Sequence, residues 1–287
     1  MDKPKSAGDV KSTLDDATGK VTVTWTAPTE GLYGGYMGDI TYNIVRYPDG
    51  KLLKENYTGT TYSEILPADV EKKVYGYGIT PVNGSMKGDE SVSNYVAFGK
   101  AITPPFYGGF DDASEMSLYN IIDGNGDGVT WAWEEPNWSN DQDASATTAR
   151  SEKGAADEWL ITPALKVKAG YVYNVSFRVK CFSKYYPQKL EVKYGSSATA
   201  SGLTETLLPA ETLTTSEYLV RKATLAPTKD GEMFIGFHDI SEKGQQALKI
   251  DDISIGEGIS ISAPDSVSEL SVSAGAKGAL QATLSFK

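Results

Sequence analysis

The chain contains a single histidine, His238, and a single cysteine, Cys181. One histidine excludes a two-histidine metalloprotease helix and a histidine-rich zinc site, and argues against a histidine-based triad. One cysteine excludes an intrachain disulfide and a paired-cysteine metal site. No apolar run approaches the roughly 18–20 residues that a membrane-spanning helix needs, so no membrane insertion is expected. Positive charge is scarce: 27 Lys and Arg stand against 38 Asp and Glu, a formal charge of −11. Such a surface repels phosphate backbones, and nucleic acid is not an expected partner. Phosphate loops, dinucleotide fingerprints and Gly-x-Ser-x-Gly elbows are missing. A carboxylate-pair glycosidase leaves no short signature, and nothing singles such a pair out.

Segments with apolar residues at i, i+3, i+4, i+7 are scarce as well. What is present in quantity is strand and turn material, with 17 Tyr, 29 Gly and many Thr, Ser and Val. Short alternating runs end at Gly, Pro, Asn or Asp. The helical crossovers of a parallel sheet are missing, so the pattern predicts an all-β protein of tandem antiparallel β-sandwiches. At 287 residues the chain has room for two domains and part of a third. The start, Met1-Asp2-Lys3-Pro4, is polar and runs directly into the first unit, which suggests a mature fragment of a longer chain.

Residues 1–102 form the first expected unit. Val21-Thr22-Val23-Thr24-Trp25 and Ile40-Thr41-Tyr42-Asn43-Ile44-Val45-Arg46-Tyr47 alternate cleanly, and about seven short strands fit the span. Trp25 followed by Ala27-Pro28, Tyr42 before a turn, and Leu66-Pro67 before Tyr75-Gly76-Tyr77 together resemble a fibronectin type III domain. The resemblance implies that Tyr75 or Tyr77 supplies a tyrosine-corner hydroxyl. The loop Glu30–Asp39 is longer and richer in glycine than that resemblance would lead one to expect.

Residues 103–258 form the second expected unit, after a Thr103-Pro104-Pro105 linker. Its markers are Phe110-Asp111, the Asp/Gly loop before Trp131, Trp159-Leu160-Ile161-Thr162-Pro163, and Ile250-Asp251-Asp252-Ile253. In that order they resemble the cleaved-adhesin or choice-of-anchor J jelly-roll modules of bacterial surface proteins, related to gingipain adhesin domains. The resemblance implies a two-sheet sandwich, often stabilised by Ca²⁺, found in adhesins and on secreted enzymes. Residues 259–287 resemble the first two strands of a further fibronectin-type domain. Two strands bury no core, so that unit is expected to be incomplete.

Asp123, Asn125, Asp127, Gly128 and Glu134 satisfy the D-x-[DN]-x-[DN]-G-x5-E pattern of a calcium loop. Trp131-Ala132-Trp133 and Pro136 deny it an exiting helix, so the expectation is Ca²⁺ in a β-loop, or else a plain glycine turn. Asp111 and Asp251 stand at opposite ends of the expected jelly roll in sequence. Paired first and last strands would bring them together, and two buried carboxylates call for a cation. The alternative is a split pair with one carboxylate in solvent. Trp25, Trp131 and Trp159 are expected in cores. Trp138, Tyr185 and Tyr186 lie in polar stretches and are candidates for stacking on sugar rings, or for packing on their own sandwich edge. His238 precedes Asp239, a pairing that could orient a base; the plainer reading is a strand-end histidine. Cys181 reads as a small buried hydrophobe.

The combined expectation is a non-catalytic, exported bacterial surface protein, at the cell exterior, monomeric within a longer tandem chain. Its partner would be an extracellular glycan or a host or matrix protein, held by a calcium-stiffened jelly roll, with fibronectin-type units as spacers. An accessory module of a larger secreted hydrolase is the open alternative.

Overall fold

A computed structural model describes residues 1–136, 143–261, 268–275, 277 and 282–285. Its regular secondary structure is almost entirely antiparallel sheet. The first part holds β1 (Gly8–Asp15), β2 (Lys20–Thr26), β3 (Ile40–Tyr47), β4 (Lys51–Tyr57), β5 (Thr61–Ile65), β6 (Lys73–Asn83), β7 (Met86–Lys87), β8 (Ser91–Val92) and β9 (Val96–Phe98). Strands β1, β2 and β5 form one sheet; β4, β3, β6 and β7 form its partner, with β8 and β9 also on β6. Alternation aims Val21, Val23 and Trp25 inward against Tyr42, Ile44, Tyr77 and Ile79. The Tyr77 hydroxyl donates to the Glu64 carboxylate at 2.7 Å, not to an upstream backbone carbonyl as a tyrosine corner would.

The second part holds β10 (Phe106–Gly108), β11 (Asn120–Asp123), β12 (Trp131–Glu134), β13 (Ser145–Thr148), β14 (Glu158–Ile161), β15 (Leu165–Val167), β16 (Tyr171–Cys181), β17 (Gln188–Gly195), β18 (Glu205–Leu213), β19 (Leu219–Leu225), β20 (Gly231–Asp239), β21 (Leu248–Ile255) and β22 (Ile259–Ser260). One sheet runs β12-β13-β21-β16-β19, with β10 on β21 and β22 on β16. The facing sheet runs β11-β14-β20-β17-β18, with β15 on β20. Phe177 of the first sheet meets Phe237 of the second edge to face, ring centroids 4.9 Å apart, inside a core that also holds Trp131, Cys181, Ile250 and Ile253. Trp159 packs in a smaller cluster with Ile161 and Leu203.

The linker is structured. The Ile102 N–H donates to the Ala164 carbonyl, and Lys166 N–H returns to the Ile102 carbonyl, both at 2.8 Å. On the other side, Thr103 N–H donates to the Glu71 carboxylate at 3.0 Å. Towards the end of the chain, β23 (Ser271–Ala274) and β24 (Ala282–Ser285) pair antiparallel in a two-stranded ribbon. Val272 and Leu284 are exposed on it, which agrees with two strands burying no core.

Candidate functional site

The outer face of the β12-β13-β21-β16 sheet carries a groove of about 670 Å³. Four of its residues lie in one cross-strand row: Ala132 opposite Thr147, Thr147 opposite Lys249, Lys249 opposite Lys180. Their strand neighbours Ala146, Ile250 and Val179 face the core with no exposure. This is the period-two alternation of a sheet, with apolar residues on one face and polar residues on the other. The two lysines are held in place. Lys249 Nζ sits 2.8 Å from the Glu134 carboxylate, and Lys180 Nζ lies 4.3 Å from the Tyr218 ring centroid. Phe182 closes one end of the groove and is 48% exposed; Ser216 and Gln246 add polar groups to its wall. The groove thus combines hydroxyl and amide groups, an accessible aromatic ring and two lysines that are themselves buried, 8% and 5% exposed, a mixture that suits small polar ligands.

One step along the same strands, Asp251 lies opposite Arg178. The Arg178 guanidinium contacts Asp251 and also pairs with Asp143 at 3.0 Å, and its face covers Tyr218. Burial raises the Asp251 carboxyl to about 6, against the pull of the Asp252 amide and of Arg178. The first strand of the sandwich, β10, does run beside β21, which carries Asp251. Asp111, however, is exposed, whereas Asp251 is buried and has a guanidinium for its counter-charge. The electrostatic reason for a cation between them is therefore met by Arg178. A nearby hydroxyl registers the crowd of carboxylates: the Tyr107 hydroxyl donates to Asp252, and that bond, burial and the charges of Asp252, Asp111 and Asp251 push its ionisation far up.

The Asp123 loop folds around its own carboxylate. Asp123 accepts the N–H groups of Gly126, Asp127 and Gly128, and Asn125 Oδ1 accepts the Asp127 N–H at 2.9 Å. Gly126 and Gly128 adopt positive φ, +70° and +89°, which side chains rarely tolerate. Asp127 accepts from Val129 N–H and the Ser151 hydroxyl, and the Ser151 bond leads in holding its pKa down. Glu134, the last residue of the sequence pattern, is absent from this cluster; it points along β12 to Lys249. Glu158 stands there instead. Oxygens of Asp123, Asp127 and Glu158 lie within 4.8 Å of one another, the one such group among the described residues. Burial raises the Glu158 carboxyl to about 7, with the negative charges of Asp127, Asp123 and Asp239 adding to it.

The other candidates separate. Trp138 lies outside the described residues. Tyr185 is 77% exposed at the tip of the turn between β16 and β17, with Lys184 over its ring; Tyr186 is half-buried, and its N–H closes the turn onto Ser183. Neither lines the groove. Adjacent strand residues point to opposite faces, so His238 does not meet Asp239. Its ring stacks on Trp159 at 3.7 Å, Nδ1 meets Glu191 at 2.8 Å, and Nε2 meets Asp157 at 2.7 Å. Both nitrogens are thereby occupied, and no nucleophile is among these partners. Cys181 is fully buried. No described helix is long and apolar enough to cross a membrane. The sequence missed the groove lysines, although Lys180 and Lys249 interrupt two apolar strands at outward positions.

No family model and no curated protein matches the chain. Among solved structures, the K1 cleaved adhesin domain of Lys-gingipain from Porphyromonas gingivalis is 17% identical, with a TM-score of 0.43, over 54% of this chain and 98% of that one. The K3 domain of the same protein is 18% identical, with a TM-score of 0.42, over 53% of this chain and 96% of that one. A xylan-binding domain from Paenibacillus barcinonensis is 13% identical, with a TM-score of 0.39, over 54% and 97%.

Proposed function

We propose that this chain is a non-catalytic binding module of an exported bacterial protein, acting at or beyond the cell surface. Its ligand is an extracellular glycan, or a polar segment of a host or matrix protein, taken up in the groove on the outer face of the jelly-roll sheet. The observation that carries this reading is the in-register row Ala132, Thr147, Lys249 and Lys180. Four strands of a packed sandwich hold those groups, so little conformational entropy is lost on binding. The His238 environment supports the non-catalytic part, because both ring nitrogens are committed to carboxylates. A structural Ca²⁺ belongs to the same reading, and Asp123, Asp127 and Glu158 are the carboxylates that suit it. The first sandwich acts mainly as a docked spacer.

The test is a panel of glycans and matrix proteins probed with the full chain and with Ala132→Trp. Ala132 is exposed on the groove floor, so the indole fills the groove without entering the core. A ligand bound by the parent and lost in Ala132→Trp, with an unchanged melt, supports the groove. Undiminished binding by Ala132→Trp places the ligand elsewhere.

A further inference from the structure

The glycine-rich loop of residues 30–39 lies between β2 and β3, and none of its residues belongs to the core of the first sandwich. Its Tyr33 and Tyr36 side chains are 84% and 71% exposed. The backbone beneath these rings is nevertheless fixed from below. The carboxylate of the buried Asp2 accepts the N–H groups of Tyr33 and Gly35, both at 2.9 Å, and the Asp2 N–H donates to the Tyr36 carbonyl at 3.0 Å. Asn83, fully buried at the end of β6, closes the frame. Its amide nitrogen donates to the carbonyls of Asp2 and Tyr36 at 2.9 and 3.1 Å, and its Oδ1 accepts the Gly38 N–H at 3.1 Å. The glycines permit this frame. A Cβ on Gly31 would collide with the Asp2 carboxylate, and Gly34 adopts φ +71°. The Tyr36 ring lies beside Gly38, 3.6 Å from where a Cβ would stand.

We propose that Tyr33 and Tyr36 form a stacking platform for a neutral glycan, a binding site on the first sandwich separate from the groove. Two buried polar side chains hold a loop whose aromatic rings they leave in water. The backbone entropy of that loop is lost on folding and not on binding, and a tyrosine adds a large contact area for only two side-chain torsions. Its ring face matches the C–H face of a pyranose, and its hydroxyl reaches the polar rim of the sugar. Further hydrogen-bonding groups flank the loop. Lys5 pairs with Glu30 and Lys3 with Asp89, both at 2.7 Å, and all four side chains are a third or more exposed. The N–H of Lys5 donates to the Glu30 carbonyl, and the Lys3 carbonyl accepts the Leu32 N–H, which keeps these pairs beside the rings.

Charge and shape select the class of ligand. Both flanking ammonium groups are matched by carboxylates, Asp39 adds a negative charge, and the chain as a whole carries −11, so this end of the molecule does not attract an anionic polysaccharide. A specific protein partner buries roughly 800 Å² on each side. Gly34, Gly35 and Gly38 offer no side chains between and beyond the rings to build such a contact. A sugar unit covers about one aromatic ring and needs no contiguous apolar surface. The first sandwich is then more than a spacer, and its site does not depend on the groove.

The experiment is an amide NMR titration of the full chain with cellotetraose, mannotetraose, xylotetraose and N-acetylchitotetraose at millimolar concentration, with hyaluronan and collagen as contrasts. At least one neutral sugar is expected to shift the Gly34, Gly35 and Gly38 amides saturably. Tyr33→Ala and Tyr36→Ala are each expected to weaken that titration by about tenfold. Their melts should match the parent, because both side chains lie on the surface. Asp2→Ala keeps both rings but releases the loop, and is expected to weaken the same titration; Asp2→Asn retains an acceptor oxygen and should recover most of it. Loop amides silent to all four neutral sugars overturn the inference. Parent affinity in both tyrosine variants does so too, as do loop shifts that appear only with hyaluronan or collagen. Shifts confined to the row Ala132, Thr147, Lys249 and Lys180 sink the loop site and leave the groove reading standing; shifts confined to the loop do the reverse.

Discussion

Asp251 is a buried carboxylate on the groove-bearing side of the sheet, and Arg178 carries its counter-charge. Breaking a buried pair by removing one partner leaves an uncompensated charge and costs about 3–5 kcal/mol. Arg178→Ala is therefore expected to destabilise the chain by about 3 kcal/mol in denaturant melts, and adding Asp251→Asn should recover part of that loss; an additive double variant would contradict the coupling. The pH dependence has a definite sign. The Asp251 carboxyl lies at about 6 in the fold and at 3.8 in the unfolded reference. Between those values the folded chain holds a proton that the unfolded chain has released. Stability from this group is present below the unfolded value and is lost as pH rises through the window, by up to about 1.4 kcal/mol per pH unit. Asp251→Asn removes that contribution, so parent and variant should diverge between the ends of the window; parallel pH profiles would contradict it.

Glu158 shows where residue-level legibility stopped. The spacing pattern ended on Glu134, which sits the right number of residues away but on a strand that carries it to Lys249. Asp123 and Glu158 meet through sheet register across a long sequence separation, which no local motif encodes. A signal was nevertheless present: Glu158 heads Glu158-Trp159-Leu160-Ile161, a strand buried at every position, where an acid needs a partner.

At the scale of elements, the two halves of the second sandwich are joined by aromatic contact between β16 and β20. Phe177→Ala opens a cavity beside Phe237 and is expected to cost about 3–5 kcal/mol by denaturant unfolding; a loss within experimental error would mean the core collapses around the gap. Legibility followed burial here too. The runs Ile40–Tyr47 and Leu248–Ile255 coincide with β3 and β21: β3 puts Ile40, Tyr42 and Ile44 on one side, and β21 sends Leu248 and Ile250, then Ile253 and Ile255, to the core across an irregularity in its pairing with β16. β4 and β18 went unread. They are edge strands with charged residues and mostly exposed side chains, so their pairing is set by neighbours and not by their own alternation. The groove was unread for a related reason: its row exists only when four strands align, and Lys180 and Lys249 are far apart in sequence.

At the scale of the molecule, the linker decides how the sandwiches move. Ile102 exchanges backbone hydrogen bonds with Ala164 and Lys166, and Thr103 is tied to Glu71, so the first sandwich is docked and not hung on a flexible tether. Ile102→Pro removes the donor to Ala164. Small-angle scattering and NMR relaxation are expected to report greater independent motion of the two parts, with each core intact; unchanged tumbling would show that docking lies in other contacts. A docked spacer fits a module that presents one sheet face outward, with Lys249 and Lys180 fixed by Glu134 and Tyr218 before any ligand arrives.

The most direct measurement is amide chemical-shift mapping of the full chain titrated with the strongest binder from the glycan and matrix panel. The perturbed amides are expected to cluster on β12, β13, β21 and β16 around Ala132, Thr147, Lys249 and Lys180, with Phe182 at the margin, and the perturbations to vanish in Ala132→Trp. Perturbations centred on the Tyr185–Tyr186 turn or on the first sandwich, with the four-strand row silent, would contradict it.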